Sequence, residues 1–279
     1  MKIATRRWLF NRYLVLSFCL VFFVSLLTWA LGGGAIHSLL YYDGPYTLRE
    51  YFSLAFGFAS YADTGYTVFQ LAAPVLPVLA ILPLLQEMAV FPMAYPRVKS
   101  YPKMVLGRIF PYLLMSSFVL FAAFLCFLGV GLSLFELPQQ AAYEKLFGEF
   151  LGGFYASNPA GGFLVSTLIT GFLRFFVFSF FYGLFGVAVA FLTPKKYLCV
   201  LVPIAYFLIG SVFFAFLGNL FNGTVFTYIS PSYILMPGSA PYVNGLVLFL
   251  PVLPVAVFSV AVMAWRFSAK PAKMDALGV

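Results

Sequence analysis

Six apolar runs dominate this chain, at about 13–31, 67–91, 109–135, 162–192, 198–217 and 245–265. Each is near or above the ~20 residues that a helix needs to cross the hydrocarbon of a bilayer. No water reaches backbone groups there, so such runs are confined to helices whose amides and carbonyls satisfy one another. Composition leaves no soluble alternative. With 63% hydrophobic and 9% charged residues in 279, and a mean hydropathy of +1.00, there is too little polar surface to cover a water-soluble globule. The expected fold is an all-α membrane protein, one transmembrane domain over 1–279 with six helices.

Charge placement sets the topology. Lys2, Arg6, Arg7, Arg12, Arg97, Lys99, Lys103, Arg108, Lys195, Lys196, Arg266, Lys270 and Lys273 fall on one side of a six-helix arrangement, and only Arg49 and Lys145 on the other. The positive-inside rule then puts both termini in the cytoplasm. Asp43, Glu50, Asp63, Glu136, Glu144 and Glu149 lie on the outer side in the same arrangement. The net charge of +8 is spread in small groups between apolar runs. It builds no single basic face, so nucleic acid is not an expected partner.

Taken in order, Lys2, Arg6, Arg7 and Arg12 precede an uncleaved first helix, and 32–66 reads as an outer loop. The second span carries Pro74, Pro77 and Pro83, each removing a backbone donor. Between spans two and three runs LLQEMAVFPMAYPRVKSYPKMVLGRIFP, basic after Glu87 and cut by Pro92, Pro96 and Pro102. Pro96 and Pro102 suit the first position of a new helix, and Val98, Tyr101 and Val105 recur at helical spacing. This predicts a cytoplasmic elbow with a short surface helix at about 92–108. Residues 138–151 read as an amphipathic helix on the outer surface, with Tyr143, Leu146, Phe147, Phe150 and Leu151 as its apolar face. Residues 219–243 carry no charge, are broken by Gly and Pro, and read as an outer re-entrant or interface-lying hairpin.

Catalytic and metal motifs are missing. With a single histidine, His37, no paired-His zinc motif can form, and neither GxSxG nor a phosphate-binding GxxxxGK[ST] loop occurs. Cys19, Cys126 and Cys199 lie far apart and read as reduced packing residues. No catalytic or metal residue is assigned. Arg174 is the one charge clearly inside an apolar run. It reads either as a snorkelling or packing cation or as a cation lining a substrate path or outer gate. Arginine does not deprotonate, and the spans hold no acid except Glu87 at the cytoplasmic edge of the second, which argues against proton coupling.

Six spans, cytoplasmic termini, a basic surface helix after span two and a broken apolar segment before span six resemble the permease of type 2 ABC transporters, the exporter-type family. LPLLQEMAVFPMAYPRVKSYPKMVLGR resembles the family's passage from the second helix into the coupling helix. TPKKYLCVLVPIAYFL resembles its basic turn and Pro-containing fifth helix, and YISPSYILMP its outer segment before the last helix. The resemblance implies that Glu87 opens the connector and that Tyr95, Arg97, Lys99, Tyr101 and Lys103 seat on a separate ABC ATPase subunit. It further implies a second permease copy, identical or related, with the cargo passing between the two. ATP and Mg would be bound by the ATPase, and this chain itself would hold no cofactor and catalyse nothing.

The abundance of phenylalanine, 36 residues, favours an amphipathic or hydrophobic cargo such as a peptide, a lipid-linked molecule or a drug. Short loops and the size of the chain suggest a bacterial plasma membrane. Two other classes remain open at this point: a secondary transporter or channel, and a peptide-binding immunity or scaffold protein without ATP coupling.

Overall fold

The computed structural model describes residues 12–32, 48, 51, 73–88, 100–137, 158–193, 195–221, 224–232 and 245–268. The expected outer helix at 138–151, most of the first outer loop and the elbow residues 89–99 lie outside the described residues. Among the described residues the chain is helical, with no β-strand. Helix α1 spans Arg12–Gly32, α2 Val75–Met88 and α3 Tyr101–Leu134. Helix α4, Pro159–Gly171, passes through a π-helical segment, Phe172–Val177, into α5, Phe178–Leu192. Then come α6, Lys196–Leu220, the short α7, Thr224–Ile229, a 3-10 segment, Gly245–Val252, and α8, Leu253–Ser268. Among the described residues five helical stretches are long and apolar enough to cross a membrane, and Val75–Gln86 is a shorter apolar one. The chain is a multi-pass membrane protein.

Local chemistry explains most ends. Pro102 occupies the first turn of α3, where its missing N–H leaves no bond unmade. Asn158 caps α4, its side-chain oxygen accepting from the Gly161 N–H at 2.9 Å, and Pro159 follows at the first position. The third helix therefore begins at Tyr101 rather than near 109, and the fourth at Pro159 rather than near 162. Pro111 does not end α3. The carbonyl it deprives of a donor belongs to Gly107, which is exposed, with open space beside it. The last span opens as a 3-10 segment because Pro251 and Pro254 remove two donors within one turn.

The bundle is arranged around α5. It packs against α2, α3, α6 and α8, and is buried on nearly every side, as an apolar helix without a polar face should be. Helix α1 packs on α2 and α3 through Leu14, Ser17, Val21, Ser25 and Thr28, a seam with three- and four-residue spacing. Small polar residues allow close helix approach, and two of these keep their hydroxyls bonded inside the helix. Ser25 donates to the Val21 carbonyl at 2.7 Å and Thr28 to the Ser25 carbonyl at 3.0 Å. At the far end of α3 an aromatic plate gathers Trp29, Tyr51, Phe127 and Phe135, and the Tyr51 hydroxyl donates to the Phe127 carbonyl at 3.2 Å.

Helix α2 is held to α3 by a polar contact inside the apolar layer. The Tyr112 hydroxyl donates to the Ala80 carbonyl at 3.1 Å, in the turn of α2 that Pro83 loosens. Tyr112→Phe keeps the ring and removes this bond. It is expected to cost about 1 kcal/mol, read as a lowered thermal midpoint of the detergent-solubilised protein. An unchanged midpoint would show that the bond contributes nothing to α2–α3 packing.

The uncharged segment after α6 turns back on it. Ser232 donates its N–H to the Ser211 hydroxyl at 3.1 Å, and Pro231 lies over Gly210, 3.4 Å from where a β-carbon would stand. Ser211 lies nine residues before Leu220, the last of α6. The segment therefore descends about 14 Å below that helix end. Residues 233–243 of the expected re-entrant or interface-lying hairpin lie outside the described residues. Irregular backbone at such depth is tolerated where protein buries it, and Ser230 and Pro231 are buried.

Candidate functional site

Two places carry the sequence-derived site residues: the start of α3 and the π-helical segment. Glu87 lies in the last turn of α2, and Tyr95, Arg97 and Lys99 lie outside the described residues. Tyr101 opens α3 and is buried with Val105, Ile109 and Tyr112 along one stripe of that helix. Lys103, between them, is exposed. The Tyr101–Val105 spacing thus marks the face that α3 turns to the bundle, and the cation faces away. Arg266, at the end of α8, is also buried, and its charge acts on the Tyr101 phenol. The beginning of α3 thus lies near the end of the last helix.

Arg174 sits within the π-helical segment and is 3% exposed. It stands 15 residues into the continuous helix that starts at Pro159 and 18 before its end at Leu192. At 1.5 Å per residue that is over 20 Å, or about 22 and about 27 Å, from the two ends. A guanidinium so placed does not reach water along its own stem, which disfavours the snorkelling reading. Buried intramembrane charges mark substrate paths and gates more often than they stabilise.

The π segment has a local cause. On α3, Phe124 stacks on Phe175 at 5.0 Å, while Phe121 meets Phe172 edge-on at 5.7 Å. Gly171 leaves room for the Phe124 ring, which a β-carbon there would run into. One wider turn after this glycine places Phe172 and Phe176 in a stack at 4.9 Å and carries Arg174 inward. Such turns interrupt helices mainly where a site needs a side chain re-aimed. Nothing in the sequence announces the turn except the unusual length of the run and the arginine within it.

Between α5 and α6 lies a polar pair that sequence reasoning passed over. Tyr182 and Tyr206 have buried hydroxyls with no hydrogen-bond partner among the described residues. Both read from sequence as two more aromatics in a Phe-rich bundle, since ring packing and hydroxyl chemistry have the same spelling. Cys19, Cys126 and Cys199 are free thiols, and among the described residues no three of His, Cys, Asp or Glu come together.

Comparison with protein-family models, curated proteins and solved structures finds no match for this chain.

Proposed function

We propose that this chain is the transmembrane subunit of an ABC exporter, moving an amphipathic or hydrophobic cargo across a bacterial plasma membrane under the drive of a separate ATPase. The observation that carries this reading is α3. It runs 34 residues, about 51 Å, against ~30 Å of hydrocarbon. Its apolar part begins near Ile109, so the Tyr101–Arg108 end, with Lys103 exposed, extends about 12 Å further. A push delivered there travels along one helix into α1, α2 and α5, all of which pack on α3. Coupling a closing nucleotide dimer to a bundle needs such a rod, with cations to orient the contact and aromatics to hold it.

In this reading both termini are cytoplasmic and the elbow docks the ATPase, which binds ATP and Mg. A second permease copy completes the path. Arg174 lines that path or its outer gate. Purification of the tagged full chain from its native membrane in gentle detergent tests the whole scheme. A stoichiometric soluble subunit with a phosphate-binding loop is expected; a folded chain that purifies alone would sink it.

Arg174 has its own test. Arg174→Leu is expected to leave membrane insertion intact, because it takes a buried charge out of an apolar span. Cargo-stimulated ATP hydrolysis is expected to fall at least tenfold. Stimulation equal to wild type would leave the guanidinium only a packing role.

A further inference from the structure

Helices α5 and α6 form an antiparallel hairpin joined at residues 193–195. Tyr182 lies ten residues before Leu192, the last of α5, and Tyr206 ten residues after Lys196, the first of α6. Both phenols therefore sit about 15 Å from the turn, half the ~30 Å thickness of the hydrocarbon. Helices α5 and α6 pack on each other, so the two phenols lie at the same depth on neighbouring helices. Tyr182 is 1% exposed, and neither hydroxyl oxygen has a hydrogen-bond partner among the described residues. Around them are rings. Tyr182 stacks on Phe178 at 4.1 Å and meets Phe207 edge-on at 6.1 Å, and Tyr206 meets Phe185 edge-on at 5.6 Å. The stretch Ser230–Pro231–Ser232 rests on Gly210 and Ser211, one turn further along α6 from Tyr206.

We propose that Tyr182 and Tyr206 form a mid-membrane binding site for a carbonyl oxygen, carried by an apolar molecule with an amide or ester group. Two phenols offer two O–H donors, and the rings beside them offer no acceptor. A carbonyl oxygen has two lone pairs and no proton, so it satisfies both donors and leaves nothing unmet. A water accepts both bonds but brings two further protons into the same apolar surroundings, where it lacks the partners that hold buried water. The ester carbonyls of bilayer lipids lie near the headgroups, at the edge of the hydrocarbon, and do not reach this depth in an undisturbed membrane. The carbonyl is therefore delivered by another molecule, and the aromatic walls select one that is otherwise apolar.

The inference rests on the export proposal only for the claim that the bound molecule is moved. Binding and ATPase association fail separately.

The probe is N-decanoyl-phenylalanine amide labelled with carbon-13 at the acyl carbonyl, added to the full chain in nanodiscs of ether-linked lipid, which have no ester carbonyl. Saturable binding is expected, with the labelled carbonyl band moved to lower frequency than in hydrocarbon solvent. Tyr182→Phe with Tyr206→Phe keeps both rings, and with them the packing. It is expected to weaken binding about tenfold or more and to abolish the band shift, because two hydrogen bonds are lost. A probe that fails to bind the folded wild-type chain, as when water fills the site, overturns the proposal. So does equal affinity with an unchanged band in the double variant. Repeating the experiment without probe in nanodiscs of carbon-13 ester lipid separates the two sources of carbonyl. A shifted ester band that depends on both tyrosines would overturn delivery by a separate molecule and assign the site to lipid.

Discussion

Exchange of Arg97 and Lys99 for glutamate is expected to abolish capture of the ATPase subunit while the chain still inserts. The elbow's cations orient the proposed docking contact, and like charges brought face to face in an interface cost several kcal/mol, enough for about a hundredfold loss of affinity. The same cations help to fix topology, so orientation must be read alongside. Labelling of a cysteine placed at the exposed Lys103 from one side of sealed vesicles provides that reading. Undiminished capture with orientation retained would remove the elbow as the docking site. Loss of capture together with inverted labelling would show only that the cations set topology.

The second large effect lies at the α3–α4 contact. A methyl group added at Gly171 would run into the Phe124 ring. That ring is buried and held between Phe175 at 5.0 Å and Phe121 at 6.1 Å, so it has no free rotamer into which to retreat. Gly171→Ala is expected to cost about 3 kcal/mol, the upper end for overpacking, and to lower the folded-to-unfolded ratio roughly a hundredfold. Reversible unfolding in mixed micelles measures this. Phe124→Leu in the same chain is expected to recover part of the loss by opening space. A Gly171→Ala protein as stable as wild type would mean that ring and helix do not touch.

The spans were legible wherever end signals and hydropathy agree. Helix α1, expected at 13–31, spans Arg12–Gly32, because a cation cluster precedes the run and Gly32 to Gly34 follow it. The start of α3 shows a conflict between signals. Pro102 marks a first helical turn, while the cations at 103 and 108 argue for a separate surface helix. The backbone followed the proline, since nothing between Tyr101 and Pro111 breaks the helix.

Other features were not legible because they depend on distant residues. The π-helical segment arises where rings from α3 meet those near Gly171, and no local propensity encodes that meeting. The tyrosine pair needs the equal spacing of Tyr182 and Tyr206 from the α5–α6 turn, which emerges only once both helix ends are fixed. Arg174 was visible from its charge alone, but its depth was not. Its burial between the two ends of a single continuous helix separates an interior cation from one that reaches the surface.

The central position of α5 has a consequence for biogenesis. Ribosomes deliver α1, α2 and α3 to the membrane before residue 178 has been made, and these three helices pack on one another. During that interval the face later filled by α5 meets lipid, or whichever insertion factor shields nascent spans. When α5 arrives it completes the contacts of α2 and α3 and provides the surface on which α6 and α8 settle. Chains halted before α5 would present an unfinished three-helix wedge, the form in which membrane quality-control proteases would first encounter this protein.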